Sequence, residues 1–217
     1  MESKFFSIGE AIRFGWDVAK KNIGFFVIAA IISIFAEGIP QGLQQVTEGN
    51  PISVIFALIG LSVSVVINLG WIRIALRFCD NEKPEYGDLF SQYPLFFRYL
   101  GAGILYVLIV LAGFILLVVP GIIWAIQFNF AFNLIVDKKV GVMDSLRMSS
   151  AITRGVKWNL LVFALALLGT NLLGALALGI GLLWTIPATY VAGMYVYRKL
   201  LAQTMPAPAP AAEPAAS

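Results

Sequence analysis

The chain of 217 residues is 59% hydrophobic and 12% charged, where a soluble domain carries roughly 25% charged residues. With a mean hydropathy of +0.86, this is the composition of an integral membrane protein with one membrane domain. The absence of histidine and a lone cysteine, Cys79, exclude an internal disulfide, a conventional zinc or haem site and histidine acid–base catalysis, so no cofactor is expected.

The first sixteen residues are amphipathic and lack the order of a signal peptide, so they are expected to stay on the mature protein. Ser7 and Glu10 make a capping box. From there to Asn22, Ile8, Ala11, Ile12, Gly15, Trp16 and Ala19 share one helical face, and Glu10, Arg13, Asp17, Lys20 and Lys21 share the other. That segregation predicts a helix lying in the membrane surface, or one packed on the protein's own loops.

Six apolar spans follow, at about 22–39, 52–76, 95–119, 120–136, 156–176 and 178–197. Each is near the roughly 20 residues a helix needs to cross a bilayer. A tight turn at Val119-Pro120-Gly121 joins the third span to the fourth, and Pro187 should kink the sixth. Residues 205–217, rich in Pro and Ala, read as a disordered cytoplasmic tail.

Charge fixes the orientation. All 15 Lys and Arg residues fall on one side of this six-span reading. Cytoplasmic loops retain such residues, so both termini are expected in the cytoplasm. Only Glu37 and Glu48 among the acids fall on the other side. The basic face suits anionic lipid headgroups, and nucleic acid is not expected because the bases are dispersed and mostly balanced by acids.

The spans group into three hairpins, each led by a similar segment. Glu10-Ala11-Ile12-Arg13-Phe14 aligns with Asp144-Ser145-Leu146-Arg147-Met148, and Gly9-Glu10 with Gly87-Asp88. Ten residues after each acid stands a base: Glu10 then Lys20, Asp88 then Arg98, Asp144 then Arg154. The expectation is a threefold internal repeat, with units of about 1–78, 79–138 and 139–204, each a surface helix plus a hairpin. Pro94 should shorten the middle surface helix. Such an acid and base lie about 15 Å apart along a helix and cannot pair within it. Each acid is therefore expected to meet a base of a neighbouring unit in a cytoplasmic charge collar, with snorkelling to lipid phosphates as the alternative.

No span carries an ionisable residue in its middle third, which argues against an ion-coupled transporter. The polar groups inside spans are chiefly amides: Asn68, Gln127, Asn129, Asn133 and Asn171. Asn129 and Asn133 share one helical face. Such groups either bond helices together or line a polar path. Gly60, Ser64, Ala188 and Ala192 supply small residues for close helix contact. No phosphate-cradling loop, carboxylate pair or nucleophile with a base is apparent, so an enzyme is not expected.

The stretch Val119-Pro120-Gly121-Ile122, then Ile135-Val136-Asp137, then Asp144-Ser145-Leu146-Arg147-Met148-Ser149 and Thr153-Arg154-Gly155 resembles a group of uncharacterised bacterial polytopic inner-membrane proteins. That group includes proteins similar to the membrane domain attached to some glycerophosphoryl diester phosphodiesterases. Ser7-Ile8-Gly9-Glu10-Ala11 and Gly15-Trp16 resemble its opening. The resemblance implies six spans and an inner-membrane location, and carries over no catalytic residue.

The sequence thus predicts an all-α integral membrane protein of six transmembrane helices in three hairpins, with interfacial helices on the cytoplasmic face. Its leading functional reading is a non-enzymatic scaffold or accessory subunit acting through lipids or an unnamed protein partner. The alternative is a transporter or channel for a small neutral or amphipathic solute.

Overall fold

The computed structural model describes residues 5–177 and 179–204, and within them every regular element is helical. Lys4, Leu178 and the expected tail at 205–217 lie outside the described residues. In chain order the helices are α1 (Ile8–Lys21), α2 (Ile23–Val46), α3 (Ile52–Cys79), α4 (Asp88–Ser91), α5 (Phe96–Leu116), α6 (Val118–Phe128), α7 (Ala131–Lys138), α8 (Val142–Thr153), α9 (Lys157–Leu176) and α10 (Leu182–Thr204). Among the described residues, five stretches are long and apolar enough to cross a membrane: Ile23–Val46, Ile52–Cys79, Asp88–Leu116, Val118–Lys138 and Lys157–Leu176.

The expected sixth span, α10, is not among those five. Its composition follows from its place. Thr185, Pro187, Thr189, Val191, Val196 and Tyr197 are all buried, so α10 is the central post against which α1, α3 and α9 pack. A helix covered by protein can carry threonines whose hydroxyls find partners, as Thr189 does on the Thr185 carbonyl at 2.8 Å, where a lipid-facing helix would carry leucine.

Helix α1 starts where the capping box predicts, with the Glu10 amide donating to Ser7 Oγ at 3.3 Å. Part of its apolar face is taken by protein, while Trp16 of the same face stays exposed. Ala11, Gly15 and Ala19 are buried, and the contact is with α10, where a β-carbon on Gly15 would collide with the Ala188 backbone. The predicted amphipathic face is therefore a small-residue seam, spaced every fourth residue to bring two backbones together. Phe5 and Gln203 close its far end with two hydrogen bonds, at 3.0 and 2.8 Å. α1 thus runs antiparallel to the end of α10.

Pro94 acts as expected. The middle lead segment has only the four-residue α4 and a short 3-10 turn at Tyr93–Leu95. The fourth apolar stretch is not one continuous helix. It breaks at Asn129–Phe130, between α6 and α7. The break frees backbone carbonyls that must find other donors inside the protein. Tyr106 donates its hydroxyl to the Ala125 carbonyl at 3.2 Å. Ser149 and Thr153 donate to the Gln127 carbonyl at 2.7 and 3.3 Å. α8 is thereby tied to the broken span.

Candidate functional site: a polar cavity at a broken helix

Asn129 stands at the break and Asn133 one turn later on α7. Together with Asn68 of α3, Tyr99 of α5 and Thr189 and Tyr190 of α10, they line a cavity of about 310 Å³. Asn133 precedes Lys138 by five residues and Asn68 precedes Arg77 by nine, so at 1.5 Å per residue the cavity lies about 7–14 Å from the charged layer.

The amides divide into two kinds. Asn171 donates to Thr189 Oγ1 at 3.1 Å, joining α9 to α10. Gln127 donates to Ser150 Oγ at 2.8 Å and accepts from Lys157 Nζ at 2.5 Å, joining α6 to α8 and α9. These two are interhelical bonds. Among the described residues, Asn68 bonds only back to the Ser64 carbonyl of its own helix, at 2.8 Å. The side chains of Asn129 and Asn133 make no hydrogen bond among the described residues, yet both face the same cavity. Unpaired amides at membrane depth are costly unless water or a ligand satisfies them.

A second cavity of about 350 Å³ adjoins the first, sharing Asn68 and Tyr190 with it. Its other walls are apolar, from Phe26, Ala30 and Ile34 of α2, Trp71 of α3, and Ile186 and Pro187 of α10. Pro187 sits on this wall rather than at a free hinge. Asn68 and Tyr190 thus stand between two cavities, one lined by the asparagines and the other apolar along α2 and α10.

The six residues of the expected collar are dispersed. Glu10 accepts from Lys199 Nζ at 2.6 Å and from the Tyr195 hydroxyl. The Lys199 hydrogen bond, then that of Tyr195, hold the Glu10 carboxyl below its ordinary range, and the same Glu10 bond raises the Lys199 ammonium. Asp88 meets Arg77 at 3.0 Å and accepts from the Glu85 amide at 2.8 Å. Arg98 donates to the Lys139 carbonyl at 2.6 Å. Lys20, Asp144 and Arg154 form no ion pair among the described residues. The bases that meet the acids are thus Lys199 and Arg77, from other units than their acids but not the bases ten residues along.

A three-residue ionic cluster is one the spacing did not suggest. Arg198 meets Asp137 at 2.8 Å and Asp80 at 2.5 Å, and the Tyr197 hydroxyl donates to Asp137 at 2.8 Å. It ties the ends of α3, α7 and α10 at the charge-rich end. Thr189, Tyr190 and Tyr99 of the cavity were also missed. Nothing in their local sequence separates them from ordinary helix residues, and the one available signal was the pair Asn129 and Asn133.

Five long apolar helices and a polar cavity at a broken one define a multi-pass helical membrane protein. Residues 98–204 match the model of a family described as "Protein of unknown function (DUF975)". The chain is also similar to "Uncharacterized protein Rv2560" of Mycobacterium tuberculosis (strain ATCC 25618 / H37Rv), 24% identical over 92% of this chain and 70% of that protein. "Uncharacterized protein Mb2590" of Mycobacterium bovis (strain ATCC BAA-935 / AF2122/97) is 24% identical over 82% of this chain and 45% of that protein. The chain thus spans less than half the length of this second relative. No solved structure matches the chain.

Proposed function

We propose that this protein binds and passes an amphipathic, uncharged molecule through the paired cavities. The carrying observation is that Asn129 and Asn133, whose side chains make no hydrogen bond among the described residues, line one cavity with Asn68, while Asn68 and Tyr190 also line an apolar one. Amides satisfy a hydroxyl, amide or ester headgroup without the desolvation cost of a charge. Binding near a discontinuous helix is a recurrent solution in transporters, since broken backbone is tolerated where it borders a cavity.

The reading includes six spans, with α10 as the sixth, shielded by its neighbours, and both termini at the cytoplasmic face of a bacterial inner membrane. The one-sided distribution of bases supports it. It also includes three parallel repeats, supported by the order of a lead helix and an apolar hairpin in each unit. Kinship with the membrane domain of glycerophosphoryl diester phosphodiesterases belongs to the same reading and rests on the Val119-Pro120-Gly121 and Asp144 motifs. No catalytic step is assigned. The second reading, a scaffold or accessory subunit, is supported by the Asp137–Arg198–Asp80 cluster, which braces the charge-rich end without lining the polar cavity.

Trp71, on the apolar wall, provides the test. Nitroxide-labelled single-chain alcohols are titrated into the protein in lipid discs, with the Trp71→Phe variant defining the signal. Saturable quenching of Trp71, abolished in the N129L/N133L variant, is expected. Quenching that rises without saturation and is indifferent to that variant contradicts the proposal.

A further inference from the structure

The three hairpins differ in length and in what their far tips carry. Past Lys21, α2 extends for 25 residues to Val46, about 37 Å. It ends among Gln44, Gln45, Thr47 and Glu48, polar side chains suited to water. Past Arg98, α5 extends for 18 residues to Leu116, about 27 Å. Past Lys157, α9 extends for 19 residues to Leu176, about 28 Å. The hydrocarbon core of a bilayer is about 30 Å thick, and any tilt shortens the reach further.

The two shorter hairpins have tips that water would not welcome. From Val107 to Ile123, and again from Leu172 to Leu183, no side chain carries an oxygen or nitrogen. These tips are not buried in protein either. Ile115, Leu117, Val118 and Val119 are 83, 70, 62 and 59% exposed, and Leu176 and Ile180 are 72 and 61% exposed.

Part of the turn backbone is satisfied internally, as hydrocarbon favours. Only Leu117 leaves helical geometry between α5 and α6; its amide donates to the Gly113 carbonyl at 3.0 Å, and the Gly121 amide donates to the Leu117 carbonyl at 3.3 Å. A β-carbon on Gly113 would stand 2.9 Å from the Gly121 α-carbon, so glycine permits this closure. In the third hairpin, Gly179 donates to Ala175 at 2.9 Å, and Leu182, Leu183 and Trp184 donate to Gly179, Ile180 and Gly181 at 3.0–3.1 Å.

We infer that the α5–α6 and α9–α10 hairpins end inside the hydrocarbon, with acyl chains covering their tips, and that only the α2–α3 hairpin reaches water at the far side. The covering partner is lipid because the exposed apolar surface of the tips continues that of the flanking spans. The bilayer then thins or its chains splay over these tips. Gly179 and Leu183 also line the apolar cavity, so that cavity opens onto acyl chains rather than water. This inference rests on the spanning part of the proposed function and not on the cavity's occupant.

The test is nitroxide depth measurement in lipid discs, where both membrane faces meet water. In a Cys79→Ser background, Glu48→Cys, Leu117→Cys and Ile180→Cys are labelled singly, each at an exposed position. Expected at 117 and 180 is high collision with oxygen and about tenfold lower collision with a water-soluble nickel chelate than at 48, since polar solutes are excluded from hydrocarbon. Nickel collision at 117 or 180 equal to that at 48 overturns the inference, placing the tips in water. Low collision with both reagents also overturns it, because protein would then cover them. If 48 is itself shielded from nickel and open to oxygen, the spanning arrangement fails instead.

Discussion

Gly15 of α1 and Ala188 of α10 meet backbone to backbone, so closely that a β-carbon on Gly15 would collide with the Ala188 carbonyl oxygen. The obstruction is main chain on a packed helix, which cannot rotate away as a side chain does. Gly15→Ala is therefore expected to lower stability by about 1–3 kcal/mol, the usual cost of overpacking. It should also raise hydrogen exchange in α1 selectively. The neighbouring Gly9→Ala, where a β-carbon meets nothing within 4 Å, should leave both unchanged.

The far end of the same seam is sensitive to pH. Glu10 has its pKa lowered from 4.5 by Lys199 and then Tyr195, and Lys199 has its pKa raised from 10.5 by Glu10. A lowered carboxylate contributes fully above its unfolded value and is lost as pH falls through its folded one; a raised ammonium contributes below its unfolded value and is lost as pH rises through its folded one. Docking of α1 should therefore be constant between about pH 5 and 10 and weaken on both sides. A Phe5→Cys/Gln203→Cys pair in a Cys79→Ser background, captured with a bifunctional thiol reagent brought to one quench pH after equilibration, reports it. Glu10→Gln should remove the acid limb.

Arg198 holds Asp137 and Asp80 together, with the Asp137 side chain only 9% exposed. Removing one partner of a buried pair leaves the other charge uncompensated. With Arg198 25% and Asp80 36% exposed, Arg198→Leu is expected to cost about 1–3 kcal/mol, less than breaking a fully buried pair, read as a loss of thermal stability in detergent. Lys20→Leu, which breaks no ion pair among the described residues, should be close to neutral.

The asparagines offer a sharper contrast. Asn171→Leu removes the bond to Thr189 and should cost about 0.6 kcal/mol, the average for interhelical hydrogen bonds in a membrane. Asn129→Leu and Asn133→Leu remove no bond among the described residues. Their stability should hold or rise, while binding of the amphipath falls. A stability loss at Asn129 equal to that at Asn171 would mark both as structural.

Composition and hydropathy made the helical membrane character legible, because length and apolarity are properties of each segment alone. Ser7 as a cap and Pro94 as a breaker were legible for the same reason. The seam on α1 was not legible as one, since Ala11, Gly15 and Ala19 are apolar by any scale and only a neighbouring helix distinguishes close packing from membrane contact. The break at Asn129–Phe130 was hidden because its freed carbonyls are satisfied by Tyr106, Ser149 and Thr153, residues 20 or more positions away or on another helix. The Asp137–Arg198 pair was hidden likewise by 61 residues of separation.

The most direct measurement is native mass spectrometry of the protein released from lipid discs, wild type beside N129L/N133L. The account predicts a stoichiometric adduct of uncharged amphipathic character on the wild type, absent from the folded double variant. An adduct of equal occupancy on both, or none on either with a protein partner bound instead, would contradict it.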